Sequence, residues 1–189
     1  MTMQKPPVRQ RTWIYGGSLI AALSTMLSGC LGIPENATAV RDFELERYLG
    51  TWYEIARLDH RFERGLSQVQ AEYSLRDDGG VRVVNRGFDA AKDERSVAEG
   101  KAYFIDDRTT GRLKVSFFGP FYGAYNIVDL DQEDYRYALV VGPNTKYLWI
   151  LARDRQLDRA IVDRLVAKAE ALGFPVDELI YPEQDGTPH

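Results

Sequence analysis

The residue types that most often carry covalent, metal or acid–base chemistry are thinly spread in this chain, with one cysteine and two histidines in 189 residues. The thiol, Cys30, follows an apolar run from Trp13 to Leu27 and the small residues Ser28 and Gly29. A lone thiol cannot close an internal disulfide, so in an exported chain it is either a partner-seeking group or a modification site. Its place directly after the apolar run favours lipidation. His189 is the last residue, His60 stands with Arg61 and Arg64, and no His/Cys/Asp cluster has metal spacing. No glycine-rich phosphate loop and no Ser-His-acid order is present, so the sequence predicts no catalytic residues, no metal and no cofactor. Glu54 is the one acid that the strand pattern turns inward, and it is the sole candidate for an enzymatic alternative.

The leader explains the thiol. Lys5, Arg9 and Arg11 precede the apolar stretch with no acid among them, the order of a secretory signal. A membrane span is the rival, but about 15 residues at ~1.5 Å each reach only ~22 Å of a ~30 Å hydrocarbon layer. Leu27-Ser28-Gly29-Cys30 resembles the lipobox of bacterial lipoproteins. That resemblance implies that Cys30 receives diacylglycerol, that the leader is cut just before it, and that the new amino terminus is acylated. Each buried methylene adds ~0.8 kcal/mol, so several chains on one cysteine anchor durably. Leu31, where the inner-membrane retention signal of such lipoproteins has Asp, implies an outer-membrane address facing the periplasm.

The expected organisation is a signal over 1–29, a lipidated terminus and linker over 30–42, one folded domain over 43–182 and a tail over 183–189. Hydrophobic residues make up 44% of the chain, enough for one real core, and the formal charge of -4 argues against nucleic acid as a partner. Eight short runs rich in Tyr, Val, Ile and Phe lie between Thr51 and Arg153, separated by turn clusters such as Asp77-Asp78-Gly79-Gly80 and Gly142-Pro143-Asn144. Short sequential connections predict an up-and-down antiparallel meander, and closure into a barrel removes its edges. A two-sheet sandwich is the alternative. Leu157, Ile161, Leu165 and Leu172 then trace one apolar helical face that Gly173 and Pro175 end, a helix that can pack only outside so small a barrel.

Gly50-Thr51-Trp52-Tyr53-Glu54-Ile55-Ala56-Arg57 resembles the Gly-X-Trp signature that opens the first strand of lipocalins, and Tyr147 to Arg153 resembles the family's last strand and its arginine. With Tyr137 to Pro143 between them and the helix after, the resemblance runs from about Phe43 onward and is closest to lipid-anchored bacterial lipocalins. It implies an all-β, eight-stranded barrel with one C-terminal α-helix outside. Even strand number puts the start of the first strand beside the end of the last, so Gly50, Trp52 and Arg153 should meet as structural residues, the guanidinium over the indole.

Alternation, together with the resemblance, turns a mostly apolar set inward. From it the predicted ligand-binding residues are Ala56, Tyr73, Val83, Asn85, Val115, Phe117, Tyr125, Tyr147 and Trp149. Small and medium side chains among them favour a cavity suited to an acyl chain, with Asn85, Tyr73 or Tyr125 to orient a polar group. The expected partner is a fatty acid or lysophospholipid, with the membrane reached through Cys30. A filled, purely structural barrel is the other alternative, and a homodimer is left open. The aromatic connection Phe117 to Gly123 falls at the predicted mouth, as an inward-folded loop or a lipid-contacting lip.

Overall fold

The computed structural model describes residues 31–184. Eight strands follow in chain order: β1 Gly50–Arg57, β2 Leu66–Leu75, β3 Val81–Asp89, β4 Glu94–Phe104, β5 Arg112–Ser116, β6 Gly123–Leu130, β7 Tyr137–Val141 and β8 Leu148–Ala152. Each pairs antiparallel with its neighbour and β1 pairs with β8, so the sheet closes into a barrel. The sandwich is thereby excluded. A one-turn helix α1 (Leu45–Tyr48) precedes the barrel and α2 (Arg159–Ala171) follows it.

Two apolar clusters divide the interior. The inner one fills the closed end of the barrel with Phe43, Leu45, Tyr48, Trp52, Tyr73 and Tyr135, and continues up the wall through Val83, Leu113, Ile127 and Val140. The outer one packs α2 on the barrel wall, with Leu165 and Ala169 against Leu139, Val141, Leu148 and Ile150. Asp158 caps α2 by accepting from the Ala160 N–H at 2.8 Å, and Gly173 (φ +85°) ends it. With no disulfide among the described residues, packing carries most of the helix's attachment. Ion pairs add to it, because Arg164 and Lys168 both reach Asp129 on β6.

Two segments expected to be peripheral are docked. Residues 31–42 form no helix or strand, but Val40 donates to the Ile127 carbonyl (2.9 Å) and accepts from Gly111 (2.9 Å) on the way to the floor. At the other terminus, β1 and β2 pair only from Gly50↔Tyr73 to Tyr53↔Gln70. The C-terminal segment fills the gap above: Ile180 exchanges two backbone hydrogen bonds with Arg57, and the Gln184 amide donates to the carbonyls of Glu54 and Val69. Buried carbonyls at the split would otherwise lack donors, and Gln184 supplies them.

Candidate functional site

Cross-strand partners share a face of the sheet, so register sorts the lumen. At the closed end every aromatic polar group has a partner. The Trp52 indole N–H donates to the Tyr48 carbonyl at 2.8 Å, and the Arg153 guanidinium carbon lies 4.1 Å from the Trp52 ring centre. Arg153 also donates to the carbonyls of Tyr135, Thr51 and Arg47. Gly50, at φ +93°, holds a backbone conformation that side chains rarely adopt, and it lies in contact range of Arg153 Nη1. Just above, the Tyr125 hydroxyl bridges those of Tyr48 (2.7 Å) and Tyr73 (2.9 Å). Burial raises all three phenols, so they stay protonated at neutral pH.

Higher in the barrel the packing loosens. Ala71, Val115, Phe117, Tyr125 and Trp149 pack on the inner cluster yet are only partly buried. Inward-facing side chains of a closed barrel that remain accessible line an open cup. Asn85, paired with Ala71 and Ala98, carries a buried Oδ1 with no hydrogen-bond partner among the described residues.

A buried group of charges lies along one side of the cup. Arg57 donates to the Glu54 carboxyl and to the carbonyls of Glu63 (3.0 Å) and Leu66 (3.2 Å). Glu63 Oε2 accepts from the Trp149 indole at 3.0 Å and lies 3.0 Å from His60 Nε2. Burial, then the neighbouring Glu63 carboxylate, pushes Glu54 up to about 8 against the pull of Arg57. Burial would raise Glu63 as well, but hydrogen bonding and charge from His60, with the Trp149 N–H, hold it below its ordinary value. Burial thus favours the protonated form of Glu54 beside Arg57, while its hydrogen-bonding neighbours favour the ionised form of Glu63.

Comparison with known proteins agrees with this geometry. A lipocalin-like domain model matches residues 43–184. The chain belongs to the lipocalin family. It is 56% identical over 161 residues to outer membrane lipoprotein Blc of Vibrio cholerae, covering 85% of this chain and 94% of that protein. It is 52% identical over 154 residues to the protein of the same name from Escherichia coli K12, covering 82% and 86%. These relatives place this lipocalin among the outer-membrane lipoproteins. Insecticyanin from the tobacco hornworm Manduca sexta superimposes with a TM-score of 0.64 at 21% identity, covering 80% of this chain and 86% of that one, a likeness of fold alone.

Within the lipocalin cup, Tyr73, Val83, Asn85, Val115, Phe117, Tyr125 and Trp149 lie on the inner face by register and packing. Tyr147 joins them at the mouth, its ring 6.1 Å from His60 and 6.4 Å from Trp149. Ala56 does not. The β1–β8 register shifts between Glu54 and Ala56, so the alternation slips by one residue at Ile55. Ala56 therefore packs in the outer cluster under α2, while Arg57, paired with Trp149, turns inward. Arg57 and Glu63 are the residues that strand periodicity misses. The available signal was the acid–base pair Glu54 and Arg57, whose three-residue spacing puts them on one face of a strand only across a bulge. Cys30 lies outside the described residues, as do the leader and His189.

Proposed function

We propose that this outer-membrane lipocalin is a tethered cup that binds a fatty acid or lysophospholipid non-covalently in its lumen, for lipid storage, transport or envelope maintenance. One observation carries the reading: the inner wall above the tyrosine bridge is apolar and accessible at Ala71, Val115, Phe117 and Trp149. Desolvating acyl methylenes against that wall drives binding, and the unpartnered Asn85 Oδ1 is an acceptor for a ligand hydroxyl or ammonium group. A lipidated Cys30 keeps the cup at the membrane. Binding is the whole task in this reading, since the Glu54 carboxyl that would serve an enzyme is engaged by Arg57.

Titration of the protein with a lysophospholipid, followed by tryptophan emission, tests the proposal. Trp52 is fully buried at the floor, whereas Trp149 borders the cup. Saturable quenching is expected, and Trp149→Phe should abolish most of it. No quenching, with no displacement of an environment-sensitive lipid probe, would leave a barrel whose ligand is of another class.

A further inference from the structure

The large apolar side chains most exposed among the described residues are Phe121 (79%) and Phe118 (72%), both on the β5–β6 connection at the mouth. Phe62 (57%) stands across the opening on the β1–β2 connection. The run Phe117-Phe118-Gly119-Pro120-Phe121-Tyr122 contains no charge, and basic groups flank the aromatic rims. The Lys114 ammonium lies 5.2 Å from the Tyr122 ring centre and the Arg61 guanidinium 4.9 Å from that of Phe62. The β3–β4 turn differs, with Lys92, Asp93, Glu94 and Arg95 in place of aromatics.

The chain enters the described structure beside the aromatic sector. The Leu31 carbonyl accepts from Arg112 Nη2 at 3.2 Å and the Gly32 carbonyl from Asn126 Nδ2 at 3.1 Å. Asn126 lies midway along β6, paired with Arg112 at the floor end of β5, and its amide also donates to the carbonyl of Gly142, which opens the β7–β8 mouth connection (3.2 Å). Cys30 directly precedes Leu31, so at ~3.6 Å per residue the anchor stays beside the β5–β6 wall, the sector that carries the aromatic connection.

We propose that Phe118 and Phe121 insert into the surface of the bilayer that holds the anchor, so that the cup opens onto the membrane and collects its ligand there. The proposal rests on the acylation of Cys30 given above. Aromatics with basic neighbours suit the headgroup level of a bilayer, where rings bury apolar area while cations meet phosphates.

The test uses full-length protein, processed and acylated in a bacterial host, in vesicles of phosphatidylethanolamine and phosphatidylglycerol doped with bromine-labelled phospholipid. Mass spectrometry of the Cys30 peptide establishes acylation first. Phe118→Trp should add an emission component that is blue-shifted and quenched by the bromolipid. Leu75→Trp, at an exposed floor position, should not be quenched. Quenching of both or of neither in acylated protein overturns this proposal alone, whereas an unacylated Cys30 overturns it together with the anchor reading. Phe118→Ser/Phe121→Ser should slow lysophospholipid uptake from vesicles by at least about tenfold, the loss of roughly 1.4 kcal/mol of contact. Its affinity for ligand supplied as monomers in solution should be unchanged, and equal loss in both assays would make the loop a part of the cup instead.

Discussion

The floor and the mouth of this barrel are built from similar residues and differ in what those residues have left to do. At the floor, Trp52, Tyr48, Tyr125 and Arg153 each meet a partner, and the barrel is closed there by aromatic packing. At the mouth, Phe118 and Phe121 face solvent, and Arg57 Nε, His60 Nδ1 and Asn85 Oδ1 are buried with no hydrogen-bond partner among the described residues. Satisfied groups make a rigid base, while unsatisfied ones cost stability and are kept where a ligand or surface can meet them. Aromatic content alone therefore says little about role, and pairing says more.

The sharpest way to break that contrast is Arg57→Ala. Removing the buried guanidinium leaves the Glu54 carboxyl and the carbonyls of Glu63 and Leu66 without their donor and should cost about 3–5 kcal/mol in urea unfolding, with altered lipid titration as well. A cost below about 1 kcal/mol would mean that water already solvates the group. Arg153→Ala should cost less, about 1–3 kcal/mol, from the lost indole contact and three carbonyl hydrogen bonds, and should leave lipid affinity unchanged. A drop in affinity would show that the floor also shapes the cup.

A third test is pH dependence. Glu54 holds its proton to about 8 in the folded protein against an ordinary value of 4.5, so the folded state binds more protons across that window. Stability should fall as pH rises through it. Glu63 is shifted the other way, so its contribution is present above its ordinary value and is lost as pH falls below it. Thermal unfolding from pH 5 to 8 should show a declining midpoint that Glu54→Gln flattens. An unchanged slope in the variant would assign the titration to another group.

The strand runs were legible because alternation and turn residues repeat along the chain, and Trp52 and Arg153 because even strand number dictates their meeting. Ala56 was misplaced because a bulge is one residue long and leaves no trace in a period-two pattern. His60 and Glu63 sit on a connection, where no period exists to say which side chains fold inward. The docked segments at 31–42 and 180–184 were hidden for a related reason: their partners are unpaired carbonyls and amides of the sheet, which every residue type carries.

By itself the sequence determined the barrel, the outside helix and the apolar character of the lumen, since each follows from local patterning that water enforces residue by residue. The tertiary structure decided the buried charges facing the cup, the strap that closes β1 against β2, and the side of the wall against which residues 31 and 32 dock. Those depend on residues far apart in the chain, such as Glu63 with Trp149 and Gly32 with Asn126, that only closure of the barrel brings within hydrogen-bond reach.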